Sequence, residues 1–317
     1  MYTEDTNLEA LPLPTSSFKE SLLDYESYSP TTQRIYKPSI EDSAEVQFRS
    51  YLRSYMRREL TYQSDVINDF AGILKVFSPQ LGTHVCGFPR YLFHTVMCWK
   101  TDGHFPSCRR TEFPSWSWAG WKGSKDVDWE GYSGGHSRIW WWSMNDQGRF
   151  VLIDTRRKDP VDSEFTNEFF GVVTFSPPPN PADIFWHDNR DSEQPPNPPR
   201  WHLLFFWTSA VTVSISDEPI QARGCYSEYS IYDPGHFTSI FTIVLDEMWR
   251  RQRKAHNHFE IIFISQTWAH RRFKFNEFVE TLLVEWENGM AYRVQQLRFR
   301  LPQWESFKPQ FKLITLA

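Results

Sequence analysis

Three tryptophans fall within a few positions of one another, at 116, 118 and 121, in the run Phe113-Pro-Ser-Trp-Ser-Trp-Ala-Gly-Trp121. No other stretch of the sequence restricts the fold as tightly. An indole buries ~150 to 250 Å² when it packs, so three together demand an interior to enter. On a strand, Trp116 and Trp118 are two positions apart and face the same side. Gly120 permits a tight backbone path into Trp121. The run reads as an aromatic brace joining two structural units; the competing reading is an open stacking platform for a sugar or a base. Aromatic residues make up 17% of the chain, with 15 Trp, far above ordinary usage. Disordered chains are poor in such residues, so this chain is expected to fold.

The brace separates two kinds of pattern. Before it the periodicity is helical. A first helix is expected after Ser39, with Asp42 as cap partner and an apolar face of Phe48, Tyr51, Leu52, Tyr55 and Met56. A second is expected from Ser64, with Ile67, Phe70, Leu74 and Phe77 inward and Pro79 as its stop. A third, short one runs from Pro89 to about Trp99. After the brace the residues become β-branched and aromatic: 151–154, 168–175, 203–215, 239–245, 260–265 and 282–286 read as strands. Asn288-Gly289 supplies a hairpin turn to a partner strand over 291–301, and 311–316 closes the chain. A helix interrupts at 246–254, where the Arg250–Lys254 basic run, flanked by Asp246 and Glu247, reads as a solvated face. The expected class is α+β: three helices packed on a β-rich, mostly antiparallel body. The expected parts are a poorly ordered tail over 1–40, a helical unit over 41–108 and a β-rich unit over 109–317. The stretch 176–200 carries eight prolines and reads as a surface insertion, or as a polyproline II ligand through Pro196, Pro199 and Arg200.

Charge and composition exclude several partners. Net charge is −5 and no basic stripe appears, which argues against nucleic acid. The longest apolar stretch, 203–213, falls far short of the ~20 residues a membrane helix needs. Cysteines 86, 98, 108 and 225 are too few and too uneven for a disulfide framework. The start, Met-Tyr-Thr-Glu-Asp, has no basic or apolar signal region, so a reducing, cytoplasmic location is expected.

Preceded by Arg109-Arg110, the tryptophan run resembles the Arg-Arg…Phe-Pro-Ser-Trp-Ser-Trp-Ala-Gly-Trp segment downstream of the HET domain in fungal heterokaryon-incompatibility proteins. Tyr55, Arg58, Leu60-Thr61-Tyr62, Ser64-Asp65, Asn68, Phe70 and Gly72-Ile73 are similar to the family's Tyr-x-x-Arg-x-Leu-Thr…Ser-Asp-x-Leu-Asn-Ala-Phe-x-Gly-Ile segment. Ile67 stands where Leu is usual, and Asp69 where a small apolar residue is usual. Gly87-Phe88-Pro89 and Phe93 to Trp99 resemble the pieces that follow, and Trp304, Pro309, Lys312 and Ile314 to Leu316 a closing pattern. The resemblance spans residues 45–317. The family's upstream blocks, of Ala-Leu-Ser-Tyr-x-Trp-Gly, Trp-Ile-Asp-x-Leu-Cys-Ile-x-Gln and Arg-x-Trp-Thr-x-Gln-Glu type, do not occur. That upstream region has been likened to TIR-type folds, in which NAD cleavage is a possibility, and none of its residues carries over. The resemblance thus implies a carboxy-terminal portion, linked to non-self recognition and programmed cell death, that works through a protein partner with no cofactor and no catalytic residue. Its structural signature here is Arg58, Asp65, Gly72, Pro114, Trp116, Trp118, Gly120 and Trp121.

Two further classes stay open on the residues themselves. His84/Cys86, His94/Cys98 and His104/Cys108 put three His/Cys pairs within a short span, and His94 and Cys98 share a helix face, but Cys-x₂-Cys spacing is absent. A zinc-binding module would use His94, Cys98, His104 and Cys108; otherwise the cysteines pack as small hydrophobes. A carbohydrate-binding or carbohydrate-cleaving β protein would use Asp126, Asp128 and Glu130 beside Trp129 and Trp140 to Trp142. Ser115 has no inferable partner, and no Gly-x-x-x-x-Gly-Lys or Gly-x-Gly-x-x-Gly motif occurs.

Overall fold

A computed structural model describes residues 43–101, 108–122, 127–128, 139–145, 147–153, 198–223, 226–233, 239–253, 259–271 and 274–317. The expected tail, the strand over 168–175 and most of the proline-rich stretch lie outside the described residues. Among the described residues there are five α-helices rather than three: α1 (Ala44–Met56), α2 (Ala71–Leu81), α3 (Phe93–Val96), α4 (Glu247–Gln252) and α5 (Leu301–Ser306). The first three precede the brace, α4 falls where a helix was expected, and α5 occupies the gap between the last two strands.

Ser43 caps α1 by accepting from Val46 N–H. The helix buries Phe48, Leu52 and Tyr55, while Tyr51, expected inward, is 43% exposed. Phe48 meets Phe70 and Phe77 edge-on at 5.9 and 5.8 Å, which docks α1 on α2. The second helix differs at both ends from expectation. Residues 63–65 form a single 3₁₀ turn and α2 starts only at Ala71. Pro79 does not stop it: Leu81 is buried, and Gly82 N–H closes the last turn on the Ser78 carbonyl at 2.9 Å. Burial of Leu81 offsets the one helical bond that Pro79 cannot donate. The third helix is shorter than expected, a 3₁₀ turn over 90–92 followed by the four residues of α3.

Ten strands form the large sheet: β1 (Trp142–Met144), β2 (Phe150–Leu152), β3 (Leu204–Ile215), β4 (Gln221–Arg223), β5 (Tyr226–Tyr232), β6 (Ser239–Asp246), β7 (Phe259–Arg271), β8 (Lys274–Glu287), β9 (Met290–Arg300) and β10 (Gln310–Leu316). Pairing is antiparallel except at one bridge, Ala291 to Leu316. Strands β3, β7, β8 and β9 follow one another, β10 bridges β9, and β10 then returns antiparallel onto β3 from Gln310↔Ala210 to Leu316↔Leu204. The pairing therefore closes into a five-stranded ring. The register places Phe206, Ala210, Ile262, Leu282, Val284, Ile314 and Leu316 on one face, all of them buried, and this face fills the ring.

The opposite face of the ring is covered by β5, β6, α4 and α5. Phe241 packs on Phe299 at 5.1 Å, and Trp249 on Phe259 at 6.1 Å. Strands β7 and β8 are therefore buried on both faces, which is why Ile261-Ile-Phe-Ile264 and Leu282-Leu-Val284 are continuous apolar runs rather than alternating ones. Asn288 and Gly289 adopt φ of 51° and 78°, as a two-residue hairpin between β8 and β9 requires. The basic run departs from expectation. Arg250 is fully buried and ties α4 to the end of β3, donating to the Ile215 and Ser216 carbonyls and to Asp217.

Candidate functional site: an arginine-braced tryptophan loop

The brace is not a strand. Arg109 pairs with Trp121, and Arg110 N–H donates to the Gly120 carbonyl at 2.8 Å, so 109–121 closes on itself as a loop. Two local features turn the chain. Pro114 has no N–H to offer a ladder, and its carbonyl takes Ser117 N–H at 3.2 Å. The Ser117 hydroxyl accepts from Ala119 N–H at 3.0 Å, which starts a 3₁₀ turn over 118–120. Trp116 and Trp118 consequently diverge instead of sharing a side.

Each indole enters a different part of the core. Trp118 packs edge-on against Tyr55 and Phe70 of the helical unit, and its N–H donates to the Gly87 carbonyl at 3.2 Å. Trp116 packs on Phe93, which also meets Trp141, and Trp141 lies 4.5 Å from Phe206 inside the ring. The Trp116 indole N–H donates to the His202 carbonyl at 2.7 Å, just ahead of β3. Trp121 donates to the Ser115 carbonyl at 2.6 Å, and Trp99 to the Trp116 carbonyl at 2.7 Å. Trp116 and Trp118 are fully buried and Trp121 is 6% exposed. The loop therefore joins helices to sheet with all three of its indole N–H groups engaged.

Guanidinium groups hold the loop's carbonyls. Arg109 donates to Gly120 at 2.6 Å and to Phe113 at 2.9 Å, and its guanidinium lies 4.9 Å over the Trp121 ring. Arg110 donates to Ala119, Trp121 and the Gln63 side chain. Arg293, from β9, donates to the Met97 and Trp99 carbonyls and lies 3.9 Å over the Trp99 ring. Burial lowers the pKa of Arg109 to about 10 and of Arg293 to about 9, and both remain charged at neutral pH. Arg293 was missed at the sequence level. The available signal was a charged residue at a ring-facing position, because Arg293 pairs opposite Val284.

Ser115 links the loop to the end of β10. Its N–H and hydroxyl both donate to the Ala317 carbonyl, and its hydroxyl oxygen accepts from Arg293 N–H at 2.9 Å. Neither an imidazole nor a carboxylate bonds this hydroxyl among the described residues, so nothing here activates it as a nucleophile. His202 Nε2 is bound to the Glu112 carbonyl at 3.0 Å, and burial pulls its pKa down to about 4, so it is neutral at pH 7.

The remaining signature residues are peripheral. Arg58 is exposed and Asp65 partly exposed. Gly72 is exposed on α2, where an added Cβ would meet nothing within 4 Å. Gly120 is the opposite case, with the Arg109 guanidinium and the Pro114 carbonyl closer than the 3.0 Å limit of real Cβ contacts.

For metal binding, the Cys98 thiol is directed at the His94 carbonyl at 3.7 Å, and burial raises its pKa. Burial pushes the Cys86 thiol up to about 12. His104 and the Cys108 side chain lie outside the described residues, and no group of three metal-ligating side chains occurs among the described residues. Asp126, Trp129 and Glu130 also lie outside, as does the Asp128 side chain. Two glutamates are buried in the ring. Glu260 takes Lys312 Nζ on both oxygens at 2.8 Å and the Trp286 N–H at 2.9 Å. Glu280 takes Arg298 at 2.6 Å and Gln296. Each is already engaged by cationic or N–H donors, an arrangement that serves cohesion rather than proton transfer. No helix among the described residues is long and apolar enough to cross a membrane. No family model matches the sequence, and neither a curated protein nor a solved structure matches it.

Proposed function

We propose that this chain is a non-catalytic interaction or regulatory portion of a fungal heterokaryon-incompatibility protein, acting in the cytoplasm through a protein partner in non-self recognition and programmed cell death. The observation that carries the reading is the chemistry of the 109–121 loop. Its arginines, serines and indole N–H groups bond backbone carbonyls or pack on rings, which leaves the segment that carries the family resemblance with scaffolding chemistry alone. The order of the resembling segments along 45–317 supports the same lineage.

The test is genetic. The chain is expressed, and separately deleted, in a filamentous fungus with a defined incompatible pair, and survival of fused cells is scored by vital-dye exclusion. A change in post-fusion death in either strain, without NAD loss caused by the purified chain, is the expected result. Unchanged survival in both strains, or turnover of NAD or a glycoside by the purified chain, removes the reading.

A further inference from the structure

Strand β6 (Ser239–Asp246) pairs on one side with β5, in the register Tyr226↔Asp246 to Tyr232↔Ser239. Among the described residues its other side has no strand partner. An unpaired strand presents a row of N–H and C=O groups that will template another strand unless something blunts it. One such device, a register shift at Ile240, sits near the start of the strand, and the six residues from Phe241 to Asp246 pair without interruption. Strand β6 runs for eight residues, Ser-Ile-Phe-Thr-Ile-Val-Leu-Asp, with no Pro, Lys or Arg and with its one ionisable side chain at the final position. The marginal strands β2 and β4 are each three residues long, too short to template much. Phe241, Ile243 and Leu245 point into the core, while Thr242 and Val244 stand half-buried on the outward face. Met248, two positions beyond the strand, is 62% exposed.

We propose that β6 is a strand-addition interface, and that its occupant is β6 of a second copy of this chain, paired antiparallel about a two-fold axis. A two-fold pairing demands only that the strand be compatible with itself. Its run of β-branched residues from Thr242 to Val244 meets that demand, since such residues pair well across strands. Charge favours the same occupant. With no ionisable side chain between Ser239 and Leu245, two copies bring no like charges face to face across the new ladder. The pairing extends the ten-stranded sheet into a continuous one across both copies. It stands independently of the incompatibility reading, so failure of either leaves the other in place.

The test uses the full chain and two charged variants at the outward positions. Thr242→Lys/Val244→Lys and Thr242→Glu/Val244→Glu each place like charges opposite one another in the homodimer, at any two-fold register that apposes these positions. Light scattering coupled to size-exclusion chromatography is expected to show a dimer for the native chain and a monomer for each variant alone. An equimolar mixture of the two variants is expected to run as a dimer, which also shows that both fold. A native chain that is monomeric at its highest soluble concentration overturns the proposal. So does a dimer that survives in either variant alone, or a mixture that stays monomeric.

Discussion

Replacing Gly120 with alanine tests whether the loop is held by close packing of backbone against guanidinium. A Cβ at this position meets the Arg109 terminal nitrogen and the Pro114 carbonyl oxygen inside 3.0 Å, with the Arg109 Cζ at 3.2 Å. The carbonyl belongs to a loop pinned by the bonds described above, so the guanidinium must move. Displacement removes the Arg109 bonds to the Gly120 and Phe113 carbonyls. Hydrogen bonds to a charged group contribute ~1.5 to 3 kcal/mol each, so the loss is about 3 to 6 kcal/mol. Domains are stable by roughly 5 to 15 kcal/mol, so this is a large fraction of the whole. Gly72→Ala is the matched control, because its Cβ meets nothing and alanine raises helix propensity by up to about 1 kcal/mol. Urea unfolding followed by tryptophan emission reads both variants. A Gly120→Ala protein within about 1 kcal/mol of native stability refutes the packing reasoning.

Three further outcomes follow from the same geometry. His202 has a folded pKa near 4 against an ordinary value of 6.5, so the unfolded chain binds the extra proton between those values and stability is lost as pH falls through that window. The loss is roughly 3 kcal/mol and should shrink sharply in His202→Gln when denaturant midpoints are compared at pH 7 and pH 4. Arg293→Lys leaves one of the Met97 and Trp99 carbonyls without its donor and should cost about 2 to 4 kcal/mol, which a loss under 1 kcal/mol by chemical denaturation would contradict. Gly289→Ala meets no neighbour, so its cost is confined to the positive φ and should stay near 1 to 2 kcal/mol by thermal melting.

What could be read from the sequence was local. The Asn288-Gly289 turn and the strand after it follow from turn chemistry, and the structure places them within a residue of expectation, whereas the strand before the turn starts at Lys274 instead of 282, and α1 starts at Ala44 with Tyr51 outward. The two-residue spacing of Trp116 and Trp118 did not put them on one side, for a local reason too, since Pro114 and the Ser117 hydroxyl turn the backbone before a ladder can form. Ser64 looks like a cap, yet 66–70 turns without becoming helix and α2 waits until Ala71. Ring closure was not legible, because pairing β10 with β3 joins segments about a hundred positions apart that carry no mark of their register. The role of Arg109 and Arg110 was hidden for the same reason. Adjacent arginines look solvated until the carbonyls they reach are known.

The ring has a temporal side. Ser115 sits in the middle of the chain, and the carbonyl that accepts both of its donors belongs to Ala317, 202 positions later. A ribosome adding roughly 5 to 20 residues per second needs about 10 to 40 s to span that interval. For that time Trp116, Trp118 and the half-made sheet wait beside an open seam, with β3 exposed along the flank that β10 will cover. Nascent chains stalled short of residue 310 should therefore be captured by chaperones and clipped by proteases at the seam, and pairing of 310–316 onto β3 should be the step that protects them.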